Sequence, residues 1–234
     1  AARTKRVPMD GTARMAFVRR YAPGLLSLTL LYMLLTAYRD FRDNFAREIW
    51  NALGYEGSGV YATAEVAVAF GVMLVLAAIM AVKNNRRAFV VIHLIMLAGS
   101  LLIGGSTLLF RLGILDGGVW MVLVGFGLYA GYVPYGCVLF DRLIATVGVM
   151  ATAGFMIYVT DAFGYLGSVG LLLYKNFGHP SLSWLDFFVG FSYATCVVCS
   201  SCFLFSLYYF LRRTDVGSND SPLGANATEA AISS

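Results

Sequence analysis

Pro23-Gly24-Leu25-Leu26-Ser27-Leu28-Thr29-Leu30-Leu31-Tyr32-Met33-Leu34-Leu35-Thr36-Ala37 runs, with no turn signal between, into Tyr38-Arg39-Asp40-Phe41-Arg42-Asp43-Asn44-Phe45-Ala46-Arg47-Glu48. The first part is apolar enough to dissolve in a bilayer. The second carries three Arg, two Asp, one Glu and one Asn. Together they predict one long helix, greasy for most of its length, charged at its end and finishing near Trp50. Charges are costly in hydrocarbon, so those at such an end either stand in water or do chemistry.

The bulk composition settles the solvent. Of 234 residues 59% are hydrophobic and only 13% charged, with mean hydropathy +0.73. An ordinary soluble domain carries about 25% charged residues, so a water-soluble globule is excluded. Cys137, Cys196, Cys199 and Cys202 all lie in apolar runs and do not form the framework of a disulfide scaffold.

Outward from the opening stretch, five more apolar runs are each long enough to cross a core of about 30 Å at about 1.5 Å per residue. They cover Val60 to Val82, Ala88 to Leu109, Val119 to Phe140, Ile144 to Tyr174 and Trp184 to Leu211. The expected fold class is therefore all-α: a polytopic membrane protein of six transmembrane helices over 21–211. A basic lead-in, 1–20, precedes it, with a turn at Pro8-Met9-Asp10-Gly11. No apolar core ending in small residues marks a signal peptide there, and the first residue is Ala. The tail, 212–234, is rich in Ser, Asn, Ala and Gly and is expected to be disordered.

Charge orients the bundle. Arg3 to Arg20, Lys83-Asn84-Asn85-Arg86-Arg87, Asp141-Arg142 and Arg212-Arg213 share one side and are mainly positive. The other side, Arg39 to Glu56, Arg111 to Asp116 and Lys175 to Asp186, is mixed. Positive connections stay in the cytoplasm, so both termini are expected there and the charged end of the first helix on the outside. Gly127-Leu128-Tyr129-Ala130-Gly131 and Gly167-Ser168-Val169-Gly170 offer small-residue seams for close helix packing.

Six spans, cytoplasmic ends and a basic loop after the second span resemble one half of a major facilitator superfamily transporter. The superfamily loop has the form Gly-x-x-x-Asp-Arg-x-Gly-Arg-Arg. Here Met80-Ala81-Val82-Lys83-Asn84-Asn85-Arg86-Arg87 keeps Lys83 and the closing Arg pair, with Val82 in place of the Asp and Asn85 in place of the second Gly. Arg6-Val7-Pro8-Met9-Asp10-Gly11 and Tyr38-Arg39-Asp40-Phe41-Arg42-Asp43-Asn44-Phe45 resemble segments from the C-terminal six-helix half of an uncharacterised bacterial family of facilitator-like membrane proteins. The resemblance implies two inverted three-helix repeats, a bacterial inner membrane, and a partner: an N-terminal six-helix half or another membrane subunit. It implies no substrate.

The candidate site starts from Arg39, Asp40, Arg42, Asp43 and Asn44. At helical spacing Arg39 and Asp43, Asp40 and Asn44, and Asp43 and Arg47 are i,i+4 neighbours, so the segment can neutralise itself and stand above the membrane as a solvated end. Alternatively it lines an outward vestibule, where Arg39 and Arg42 hold a carboxylate or phosphate by paired hydrogen bonds. Asp161 lies in an apolar span with no basic neighbour in sequence, so it must be protonated or partnered. Counted from Ile144 it falls about 25 Å along its helix, at the depth of Arg39 about 27 Å from Tyr21, which predicts pairing with Arg39 or Arg42. Glu65 belongs to the same layer. Tyr132 and Tyr135, in Tyr129-Ala130-Gly131-Tyr132-Val133-Pro134-Tyr135-Gly136, mark a kink that can expose backbone to a cavity.

Other chemistry finds no support. Cys196, Cys199 and Cys202 have cluster-like spacing but lie on a continuous apolar helix that cannot wrap a cluster. His93 and His179 have no ligand set beside them, so no metal and no cofactor are expected. No phosphate loop, nucleophile elbow or nucleic-acid signature is present, and no enzyme is expected. The leading expectation is half of a secondary transporter for a small polar or anionic solute, with or without proton coupling, in contact with the lipid bilayer. The alternative is a non-transporting subunit that scaffolds partner membrane proteins.

Overall fold

The computed structural model describes residues 11–147, 153–178 and 181–219. Half of the lead-in, with Pro8-Met9-Asp10 of its expected turn, most of the tail, and His179 lie outside them. Among the described residues all regular structure is helical, and six helices are long and apolar enough to cross a bilayer. An even number of crossings returns residues 11 and 219 to one end of the bundle, the near end below.

The elements are α1 (Gly11–Asn44), α2 (Ala46–Ala52), α3 (Ser58–Ala81), α4 (Asn85–Arg111), α5 (Gly117–Pro134), α6 (Phe140–Val147), α7 (Ala153–Leu173) and α8 (Trp184–Asn219). Three boundaries differ from the sequence reading. The charged helix is not continuous to Trp50: it breaks at Phe45, whose backbone leaves the helical region at φ −111°, ψ 22°, and α2 restarts from there. Phe45 turns because its ring stacks on Trp184 at 3.8 Å between centroids. Next, the fourth span does not stop at Phe140 but runs through a π-helical turn, Tyr135–Leu139, to Val147. Pro134 lacks an N–H and its ring crowds the preceding turn, which loosens the ladder there. Accordingly the fifth span opens at Ala153, not Ile144. At the ends, helix already runs at Gly11 and continues past Leu211 to Asn219.

Lipid offers no hydrophobic drive between helices, so packing rests on close fit and hydrogen bonds. α1 is the hub, lying against α7 on one flank and α8 on the other; α4 packs on α5 and α8, and α3 leans on α5. Small residues bring the backbones together where the sequence offered them. A Cβ on Gly99 would lie 2.5 Å from the Gly127 carbonyl oxygen, so α4 and α5 touch main chain to main chain. Gly167 likewise packs on Met33, whereas a Cβ on Gly170 would meet open space, so that seam is half used. Between α1 and α8 the fit is aromatic: Tyr38 stacks on Phe188 at 4.9 Å, and its hydroxyl lies 2.6 Å from Ser192 Oγ.

The far end is pinned by capping. Asp116 accepts from the amides of Gly118 at 2.8 Å and Val119 at 3.4 Å, closing the first turn of α5. It also accepts from Tyr55 Oη at 2.5 Å, which ties the link after α2 to α5. The Tyr55 hydroxyl and the Gly118 amide hold the Asp116 carboxyl below its usual range, and the same contact pushes the Tyr55 phenol up. Gly54 and Gly57 supply the left-handed backbone, φ 84° and 107°, that reverses the chain into α3.

Candidate functional site

Helical periodicity sorts the charged end of α1 by face. Tyr38 and Phe41 are buried toward α8. Tyr32, Arg39, Asp40 and Asp43 fall on the face toward α5 and α7. Arg42 lies between, toward α3 and α5.

On that face the polar side chains join in one line. Arg39 Nε and Nη2 donate to Asp40 Oδ1 at 2.9 and 2.6 Å, and Nη1 donates to Tyr132 Oη. The guanidinium also sits over the Tyr132 ring, 4.7 Å from its centroid. Tyr132 Oη is 3.1 Å from Tyr32 Oη, which donates to Asp161 Oδ1 at 2.6 Å. A phenol has one proton. With Tyr32 giving its proton to the carboxylate, Tyr132 must donate to Tyr32, and its own oxygen accepts from Arg39. The donors therefore all point one way, Arg39 to Tyr132 to Tyr32 to Asp161.

Stacking fixes the rings of this line. Tyr32 stacks on Tyr132 at 5.3 Å and on Tyr135 at 4.5 Å, and Tyr135 donates to the Leu28 carbonyl at 3.0 Å. Tyr135 is thus a buried strut beneath the line, not part of its polar surface.

Asp161 does not pair directly with Arg39 or Arg42, as the sequence spacing predicted. Two tyrosines intervene. The depth count also changes, because the helix begins at Ala153. Asp161 is level with Tyr32, seven residues before Arg39, hence about 10 Å nearer the middle of the bilayer. The line runs from the far boundary toward mid-membrane.

Arg42 builds a second, separate cluster. Its side chain is 2% exposed, donates to Glu65 Oε1 at 2.7 Å, and lies 3.5 Å from Asp43 Oδ1 and 3.4 Å from the Met121 carbonyl. Gly125 makes the room: a Cβ there would sit 2.6 Å from Arg42 Nη2. Nε has no partner, so the guanidinium is held tightly but incompletely satisfied. Asp43 also accepts from Tyr129 at 3.1 Å. Asn44 is exposed at the last turn of α1 and joins neither group. Beyond it, Arg47, Asn51, Glu56, Gly57 and Tyr61 line a polar hollow of about 380 Å³ at the far boundary.

A model of the family of unknown function DUF5690 matches residues 1–213. The chain belongs to that family. No curated protein and no solved structure matches it. DUF5690 carries no assigned activity. For this DUF5690 member the seven polar candidates Arg39, Asp40, Arg42, Asp43, Glu65, Tyr132 and Asp161 fall into two clusters on neighbouring faces of α1.

Sequence reasoning missed Tyr32, the residue that joins Asp161 to the rest. The available signal was its spacing, i and i+7 from Arg39 on one helix face. Elsewhere, His93 is buried, with Nδ1 3.0 Å from the Phe89 carbonyl and Nε2 3.1 Å from Ser206 Oγ. Cys199 is buried against the Leu31 carbonyl, and Cys196 packs where Gly104 leaves space. Among the described residues no three His, Cys, Asp or Glu side chains converge as metal ligands.

Proposed function

We propose that this chain is one six-helix half of a secondary transporter that moves a small polar or anionic solute through a bacterial inner membrane, with both termini in the cytoplasm. The observation that carries this reading is the continuous hydrogen-bonded line from Arg39 through Tyr132 and Tyr32 to Asp161, reaching from the membrane boundary to its interior along one helix face. Arg39 and Asp40 are each about a fifth exposed, at 23% and 20%, so a solute can reach the guanidinium. A carboxylate or phosphate that takes Arg39 from Asp40 gains a paired, charge-assisted contact. Withdrawing Arg39 from Tyr132 frees that phenol to turn, and the change passes through Tyr32 to Asp161. Asp161, a carboxylate that has lost the Tyr32 donor, then takes up a proton from water, so proton coupling belongs to this reading.

The order of helix contacts supports an origin in two inverted repeats. The first span packs on the fifth and sixth; the fourth packs on the second and third; the third packs on the sixth. Exchanging first with fourth, second with fifth and third with sixth returns the same pattern. The second and fifth spans are only 22% buried in their apolar windows, so a second six-helix half or another membrane subunit would cover them. No enzyme chemistry belongs to this reading.

The test is uptake of labelled phosphate, succinate or aspartate into vesicles holding the full-length protein with any partner half. Arg39→Lys loses binding, because the paired geometry is lost. Asp161→Asn keeps binding but loses the drive from a pH gradient. Unchanged gradient-driven uptake in Asp161→Asn removes Asp161 as the proton carrier. One observation favours the scaffold alternative: large rings stand exposed on α3 and α7, with Phe70 at 60%, Tyr158 at 79% and Tyr165 at 64%. Absence of uptake together with stoichiometric co-purification of one membrane partner selects that reading.

A further inference from the structure

The near end of the bundle has a feature unrelated to the polar line. Three helices bring arginine pairs to one buried ring, Phe210, which is 1% exposed. Arg19-Arg20 immediately precede Tyr21, whose ring is 6.2 Å from Phe210. Arg86-Arg87 precede Phe89, whose ring meets Phe210 edge-on at 6.0 Å. Arg212-Arg213 follow Phe210 after Leu211. The Tyr209 hydroxyl, donating to the Arg20 carbonyl at 3.3 Å, locks α1 to α8 here.

Three of these cations, Arg20, Arg212 and Arg213, are steadied by rings. Arg20 lies over Tyr21 at 5.7 Å, Arg212 over Tyr208 at 4.6 Å and Arg213 over Tyr209 at 5.5 Å. A ring steadies a guanidinium without neutralising it. Among the described residues, no carboxylate lies within ion-pair distance of Arg19, Arg20, Arg87, Arg212 or Arg213. At the far end Arg39, Arg42 and Arg111 each have an acidic partner, Asp40, Glu65 and Asp186, and among the described residues Arg47 stands without one. Below Arg212, on the side of α8 turned away from Phe210, an apolar ridge of Leu204, Phe205 and Tyr208 is exposed at 54%, 46% and 55%.

We propose that this end is a binding site for anionic phospholipid, the phosphate held among the arginines of α1, α4 and α8 and an acyl chain laid along the ridge. A free anion would use only the upper half of this arrangement. A zwitterionic lipid would leave the uncompensated charge in place. The proposal is independent of the transport reading, since no residue of the polar line takes part.

The test places the full-length protein in phosphatidylcholine bilayers with or without phosphatidylglycerol. Thermal unfolding and the lipid retained in the mass spectrum of the intact protein are then measured. Phosphatidylglycerol is expected to be retained and to raise the unfolding temperature, with the effect shrinking as salt screens exposed charge. Combining Arg20→Gln, Arg87→Gln and Arg213→Gln weakens retention by about 100-fold, at about 5-fold for each arginine. Arg47→Gln with Arg111→Gln, at the far end, leaves it unchanged. If the triple variant fails to fold, the exposed single variant Arg213→Gln gives the same reading at about 5-fold. Three results overturn the proposal: wild type indifferent to the headgroup, the arginine variants retaining lipid as wild type does, or inorganic phosphate alone giving the same stabilisation.

Discussion

Arg42 shows what one residue can demand of its surroundings. A guanidinium at 2% exposure needs an acid, and Glu65 supplies it from α3 while standing 46% exposed itself. Because Glu65 keeps contact with its surroundings, the pair is worth less than one sealed on both sides. Glu65→Gln preserves shape and a hydrogen-bond acceptor but strands the buried charge. It should lower stability by about 1–2 kcal/mol, read as a fall in unfolding temperature that Arg42→Met together with Glu65→Gln largely restores. A double variant no more stable than Glu65→Gln alone would count against the ion pair as α3's anchor. Asp161 is legible in the sequence because a charge inside an apolar run must find a partner. Tyr32 is not, because a tyrosine among leucines reads as core until a partner across the bundle is known. Arg39 and Asp40 are not legible as a pair: helical spacing sets Arg39 beside Asp43, whereas neighbours in sequence point about 100° apart on a helix and only long side chains close the gap.

At the scale of elements, apolar runs give the number of helices but not where each begins. Ile144 is buried and apolar like its neighbours, yet it belongs to the fourth span, because the π-helical turn at Tyr135–Leu139 carries that helix on to Val147. The break at Phe45 is equally silent, since it is set by contact with Trp184 from the other end of the chain. Capping is legible: Asp116 ahead of Gly117-Gly118 is an N-cap by residue type, and it closes α5. Its carboxyl is held below the usual range by Tyr55 first and the Gly118 amide second. A depressed acid stabilises the fold fully above its unfolded value, about pH 4, and loses that contribution as pH falls through the folded value. The unfolding temperature of wild type should therefore drop below about pH 4 more steeply than that of Asp116→Asn. Equal slopes in the two proteins would show that the cap carries no linkage.

For the whole molecule, the six bilayer-length helices follow from composition and run length, which is why that part of the sequence reading stands. The arrangement of the spans does not follow, because nothing in a run of Leu, Val and Gly says which neighbour it will meet. Sidedness can be tested directly. With the native cysteines replaced, Gly113→Cys should react with a membrane-impermeant thiol reagent in intact cells, and Asn84→Cys only after permeabilisation; the reverse pattern would invert the bundle. The π-helical turn has a consequence for how this chain can vary. Such a turn is an α-helix holding one residue too many. A single-codon deletion between Tyr135 and Leu139 would heal the helix and leave its two halves in phase, because the wide turn takes up the extra residue within itself. Tyr135 would keep the Leu28 carbonyl and Arg142 would keep Asn85, its partner at 2.7 Å. The same deletion in the regular part of the span would rotate one half against the other by about 100°, so the wide turn is where this helix tolerates a change of length.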